Sequence, residues 1–91
     1  MSIYDEDNLA KMFMPAVLRR HRQSAGLSQQ QLADSVGIAK SYISSVELGY
    51  RAPNLNLLVK LADALSIRPG QLVDEMVSDA IKSVLPGTKH C

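Results

Sequence analysis

The stretch Leu32–Ser44, LADSVGIAKSYIS, begins like one amphipathic helix and ends like another. Leu32, Ala33 and Val36 keep helical spacing before Gly37, and Ile43 and Val46 resume it after. Two short helices joined by so tight a turn cannot share an axis, so they must cross. Gly37 suits a left-handed turn residue, a conformation that costs a residue with a Cβ about 1 kcal/mol or more. Ala33, one turn earlier, is small enough for the second helix to approach closely. Val36, Ile38, Ile43 and Val46 then pack between the two.

Outward from this pair, the same periodicity predicts an all-α chain of five helices. Ser28 and Gln31 form a capping box in front of the second helix, with Leu27 placed to staple onto it. The third helix is expected near Lys40 to Leu48, with Gly49 ending it and "YRAPN" as a loop before Pro53. Asn54 caps a fourth helix, Leu55 to about Leu65, whose Leu55, Leu58, Leu61, Ala62 and Leu65 make a core-facing stripe. Ser66 and Ile67 link to a fifth helix from Pro69 to about Val84. Upstream, Pro15 suits a first helical turn, so the first helix is read as Pro15 to Ala25, closed by Gly26. The preceding "NLAKMF" is an extra turn or two joined at a kink. The expected organisation is residues 1–14 as a tail or short extra helix, 15–84 as the domain, and 85–91 as a flexible tail after Pro86 and Gly87.

Composition bounds the function. The 91 residues are 46% hydrophobic and 21% charged, with one Phe and no Trp, an ordinary soluble composition for one small domain. No apolar run approaches the ~20 residues of a membrane helix, and the acidic start "MSIYDEDN" has no signal-peptide pattern, so a cytoplasmic protein without membrane association is expected. Cys91 is the sole cysteine, and beside Lys89 and His90 it makes a poor metal or redox site. No nucleophile–base pair, phosphate-binding glycine loop or metal-ligand cluster is present, and His21 reads as a packing residue, so no enzyme, cofactor, metal or small-molecule ligand is expected. The net charge is only +1, yet between Asn8 and Leu72 eight basic residues stand against three acidic ones, about +5. A basic middle can carry a basic face.

A tight crossing of two short helices is the helix-turn-helix arrangement. The segment "GLSQQQLADSVGIAKSYISSVELGYRAPNLNLLVKLADAL" resembles the helix-turn-helix domain of the phage Cro and repressor class, also called the Xre family. The resemblance covers about Val17 to Leu72. It rests on "LSQxxLA", Gly37, "YIS" followed by Glu47, Gly49, Pro53 and the leucine-rich helix. It implies a lambda-repressor-like fold in which the third helix enters the major groove of double-stranded DNA. By position, Lys40, Ser41, Ser44 and Ser45 are the base-contact candidates. Lys40 can donate to guanine O6 and N7, whereas hydroxyls discriminate less sharply. Phosphate-contact candidates are Arg19, Arg20, Arg22, Ser28, Gln29, Gln30, Tyr42 and Arg51, which would position the protein without specifying sequence. The resemblance also implies a structural pair between Arg22 and Glu47, and a bracing role for Gln29. Two positions depart from the family pattern: Ala39 stands at the start of the third helix where Ser or Thr is usual, and Ser66 where glycine is commoner.

The fifth helix carries Val73, Met76, Val77, Ala80, Ile81 and Val84 at i, i+3, i+4, i+7, i+8 and i+11. Four helices already complete a domain of this kind, so this stripe reads as a homodimer interface, which would set two recognition helices ~34 Å apart on a palindromic operator. The expected function is a sequence-specific transcriptional regulator, similar to restriction–modification controller proteins and small phage or plasmid regulators. The antitoxin of a toxin–antitoxin pair and a protein–protein adaptor that kept the fold are the alternatives.

Overall fold

A computed structural model describes residues 6–84. Among them are five helices and no strand: α1 (Glu6–Ser24), α2 (Gln29–Val36), α3 (Lys40–Glu47), α4 (Leu55–Ala64) and α5 (Pro69–Val84). The expected all-α, five-helix class holds. The expected tail at 85–91, and Lys89, His90 and Cys91 within it, lie outside the described residues.

Local chemistry sets most of the boundaries. The Ser28 side chain accepts from the backbone N–H of Gln31, and the Gln31 side chain accepts from the N–H of Ser28, so the capping box is closed at both ends. The Asn54 side chain accepts from the Leu57 N–H at 2.8 Å and starts α4. Helices α1 to α4 all end on one hydrogen-bond pattern, a six-to-one bond wrapped around a five-to-two bond. The residue between is left-handed: Gly26, Gly37, Gly49 and Ser66. After α2 these bonds run from Ile38 N–H to Ala33 and from Gly37 N–H to Asp34. Ser66, with φ 59°, does the same task with a Cβ attached, at a cost of about 1 kcal/mol.

Helix α1 corrects the expectation of a break before Pro15. It runs unbroken from Glu6 to Ser24 with Pro15 inside it. Proline has no N–H for the Lys11 carbonyl, the usual reason a helix stops there. Here the missing bond falls where the turn after α3 presses on α1. A Cβ at Gly49 would lie 3.0 Å from the Lys11 carbonyl oxygen and 3.7 Å from Pro15 Cγ. Glycine at 49 is therefore required twice, by its φ of 83° and by this close approach. Tertiary packing, with Leu9, Ala10 and Phe13 laid on the core, holds the helix through its proline.

The core draws on every helix: Met14, Val17 and Leu18 of α1, Leu32 and Ala33 of α2, Ile43 and Val46 of α3, Leu57, Leu58, Leu61 and Ala62 of α4, Leu72 and Met76 of α5. Each large aliphatic side chain removed from water contributes roughly 1.5–3 kcal/mol. The α4 stripe holds at Leu58, Leu61, Ala62 and Leu65 and differs at its first turn. Leu57 is buried, while Leu55 is 73% exposed. The α5 stripe is split. Met76 and Ala80, expected in a dimer interface, are 8% and 1% exposed and belong to the chain's own core with Leu72. Val73 is half-buried and packs against that core, Val77 is half-buried, and Ile81 is exposed. The side chain of Val84 lies outside the description.

Candidate nucleic-acid interface

Helix α3 is held at its C-terminal end by a buried carboxylate. Glu47 side-chain exposure is 1%. Arg22 of α1 donates to it through Nε at 2.7 Å and Nη2 at 3.0 Å, a two-pronged ion pair. Gln29, at the start of α2, donates from Nε2 to Glu47 Oε1 at 3.0 Å. Arg19 Nη2 donates to the Glu47 backbone carbonyl at 2.7 Å, with its Nε 3.7 Å from Oε1. Burial pushes the Glu47 carboxyl up, but the hydrogen bonds from Arg22 and Gln29 and the charges of Arg22 and Arg19 outweigh it, so the group stays ionised below the usual carboxylate range. One side chain thereby ties α3 to α1 and α2.

Two of the phosphate-contact candidates have partners inside the molecule. Arg22 is 13% exposed and also donates from Nη1 to the Leu27 carbonyl at 2.8 Å, so all of its guanidinium nitrogens are engaged inside the molecule. Arg20 turns to the other side of α1. Its Nη2 lies 2.7 Å from Glu75 Oε1 and 3.8 Å from Asp79 Oδ2 of α5. The hydrogen bond to Glu75 raises the pKa of Arg20 further. Neighbouring His21 places Nε2 2.8 Å from Glu75 Oε2. Arginine is an apt phosphate ligand by type, but the sequence does not show that the acceptors already sit elsewhere on the chain.

The N-terminal end of α3 is built in the opposite way. Ala39, its first flanking residue, provides no side-chain cap. Lys40 and Ser41 are exposed, Ser44 and Ser45 half-buried. The Ser45 hydroxyl donates to the Ser41 carbonyl one turn back, leaving its oxygen as an acceptor. Tyr42 is half-buried, and the Arg51 guanidinium lies 4.6 Å above its ring centroid, a cation–π contact worth roughly 0.5–1 kcal/mol at such a site. Arg51, Tyr42, Ser41, Ser45 and Ala39 line one shallow surface depression beside the helix. At the start of α2, the Ser28 hydroxyl is committed to its cap and Gln30 Nε2 bonds Asp34 Oδ1 at 2.8 Å.

Tyr42 also lines a second depression, with Ile38, Asn54, Asn56, Leu57 and Lys60. Asn56 and Lys60 were not among the sequence-derived candidates. The signal that could have found them is their spacing: i and i+4 on the polar flank of α4, immediately after its Asn54 cap. Among the described residues, Lys40, Arg51 and Lys60 enter no ion pair, whereas Arg19, Arg20 and Arg22 do. Of the eight basic residues in the middle of the sequence, three thus sit unpaired around the N-terminal end of α3 and three arginines bond within the fold. Also among the described residues, no group of three acidic, His or Cys side chains is placed to hold a metal, and no helix is long and apolar enough to cross a membrane.

Comparison with known proteins places this geometry. A family model described as Helix-turn-helix matches residues 18–72. The restriction-modification controller protein C.AhdI from Aeromonas hydrophila is 42% identical, with a TM-score of 0.64, the alignment covering 71% of this chain and 96% of that one. SinR of Bacillus subtilis, an HTH-type transcriptional regulator, is 34% identical over 59 residues, covering 64% of this chain and 53% of SinR, about half of its length. The controller protein C.Esp1396I, solved as a tetramer in complex with its natural 35 base-pair operator, shares the fold at 20% identity, with a TM-score of 0.67 over 80% of this chain and 93% of that one.

Proposed function

The chain belongs to the helix-turn-helix family, and on that premise we propose that it is a sequence-specific double-stranded DNA-binding transcriptional regulator, acting in the cytoplasm as a homodimer on a two-fold operator. The observation that carries this reading is the contrast along α3: its C-terminal end is locked by Glu47, while its N-terminal end presents Lys40, Ser41, Ser44 and Ser45 between two patches holding Arg51 and Lys60. An α-helix seated by that end in the major groove brings Lys40 and the serines to base edges. Arg51, Tyr42, Asn56 and Lys60 then face the phosphates on either side, with Arg19 and the first turn of α2 as outer contacts. Those groups set register rather than sequence.

The homodimer rests on the outward flank of α5. Val77 and Ile81 line it, with Val73 beside them partly packed on the core, and Leu55 and Val59 of α4 are exposed as well. Such a flank is best covered by a second copy of itself through a two-fold contact. Bound at a promoter, the dimer would repress by obstruction or activate by contact.

Duplex titration across a salt series, with sedimentation equilibrium on the free protein, tests both parts. The expected result is a dimer in solution whose affinity for a selected duplex falls steeply as salt rises, as phosphate neutralisation requires. A protein that stays monomeric at high micromolar concentration contradicts the dimer, and affinity indifferent to salt contradicts the DNA reading.

A further inference from the structure

We propose that Glu75 is a positioning residue for operator binding: through one turn of α1 it fixes the angle between the recognition helix and the α5 flank that meets the second copy. This inference rests on the homodimer reading above.

The run Arg19-Arg20-His21-Arg22 looks like a single basic patch in the sequence, but the helix divides it. Arg19 and Arg22, three apart, share a face and grip Glu47 at the end of α3. Arg20 and His21 point to the other flank and grip Glu75 of α5, at 2.7 and 2.8 Å, while Gln71 donates to the same carboxylate at 3.1 Å. One turn of α1 is therefore held by a glutamate on each side, one on the DNA-reading helix and one on the helix offered to the partner.

The remaining contact of α5 with the core is aliphatic, through Leu72, Met76 and Ala80. Hydrophobic contact is non-directional and leaves a helix some freedom to slide or turn; two hydrogen bonds from α1 to one carboxylate, itself braced by Gln71 of its own helix, do not. The carboxyl of Glu75, held by the Arg20 hydrogen bond and helped by His21 and Gln71, is lowered to about 2, so it stays ionised throughout the physiological range. The leverage is large. With recognition helices ~34 Å apart, each lies ~17 Å from the two-fold axis, and a ~10° turn at the interface moves it by about 3 Å, close to the ~3.4 Å rise of a base pair.

The test uses the full chain, unaltered and as Glu75→Gln, with a half-site taken from random-pool selection. Two duplex sets are titrated: one half-site alone, and paired half-sites whose separation changes in single base-pair steps. The unaltered protein is expected to prefer one separation by about tenfold over its neighbours, and Glu75→Gln to bind the single half-site within about twofold of it while the spacing preference flattens to about threefold. Arg20→Ala, which removes the main partner from the α1 side, should flatten the profile likewise, and the double variant should add little to either. A Glu75→Gln protein that keeps the original spacing profile overturns the inference and leaves the DNA reading intact. Equal losses on single and paired half-sites, in step with a lower Tm, also overturn it by making Glu75 merely structural. Failure of the unaltered protein to distinguish paired from single half-sites removes the homodimer reading and this inference with it.

Discussion

Helix α3 is eight residues long, and its two ends differ in almost every chemical respect. At the C-terminal end, Glu47 is buried and met by Arg22, Gln29 and Arg19 from two other helices. At the N-terminal end there is no capping side chain, Lys40 and Ser41 are exposed, and Arg51 is parked on the Tyr42 ring rather than on a carboxylate. The same contrast of committed and uncommitted charge extends across the molecule, from Arg20 on Glu75 to Lys60 beside Tyr42. A helix that must read another molecule has to be anchored by one end and left chemically unsatisfied at the other. Polar groups that are engaged within the fold create rigidity; those left over are available to a partner.

The largest effect should come from breaking the anchored end. Glu47→Ala removes the acceptor from a largely buried arginine and is expected to cost about 3 kcal/mol in denaturant unfolding. The pH dependence has a definite sign. Glu47 and Glu75 both titrate lower in the folded chain than in the unfolded one, so their contribution is fully present above about pH 4.5, the ordinary carboxyl value. It is lost as pH falls through the folded values, about 2 for Glu75. Glu75→Gln should flatten the unfolding profile across that window.

Next in size is damage confined to the reading end. Lys40→Ala with Ser44→Ala should weaken operator affinity by about tenfold or more, as loss of base-edge contacts does, with Tm nearly unchanged because neither residue is in the core. Supplying the missing cap sharpens the contrast further. Ala39→Thr should stabilise the fold by about 1 kcal/mol in thermal unfolding. Ala39→Asp should stabilise it as well but weaken duplex binding, because its charge meets the phosphates that the uncapped N–H groups would otherwise face. The smallest effect is expected at the margin: Lys60→Ala should lower the log–log salt slope of duplex binding by about one, leaving the preferred sequence unaltered.

How much of this was legible in the sequence depends on the range of the interaction. The capping box at Ser28 and Gln31, the turn at Gly37, the Asn54 cap and the uncapped Ala39 are all local, and residues within six positions specify them. The family pattern also drew attention to Ser66, whose left-handed φ gives the physical reason glycine is usual there. Three features were not legible because their causes lie far along the chain. Helix α1 passes through Pro15 with Gly49 packed against the Lys11 carbonyl, 38 residues on from Lys11. Arg20 finds its acceptor 55 residues away. Leu55 and Leu57 are both apolar at the start of α4, and only the docking of that helix selects Leu57 for the core. For the site, residue type marked Arg20 and Arg22 as phosphate-contact candidates, while the carboxylates they meet in the fold lie 55 and 25 residues away.

The most direct measurement is selection of bound sequences from a random duplex pool by the unaltered chain and by the Lys40→Ala, Ser44→Ala protein, with Tm measured on both. The account predicts that the unaltered chain enriches an inverted repeat with half-site centres ~34 Å apart. It predicts that the double variant, equally stable, loses preference at the few positions in each half-site that the N-terminal end of α3 reads. The same enriched sequence at the same affinity from both proteins would contradict it.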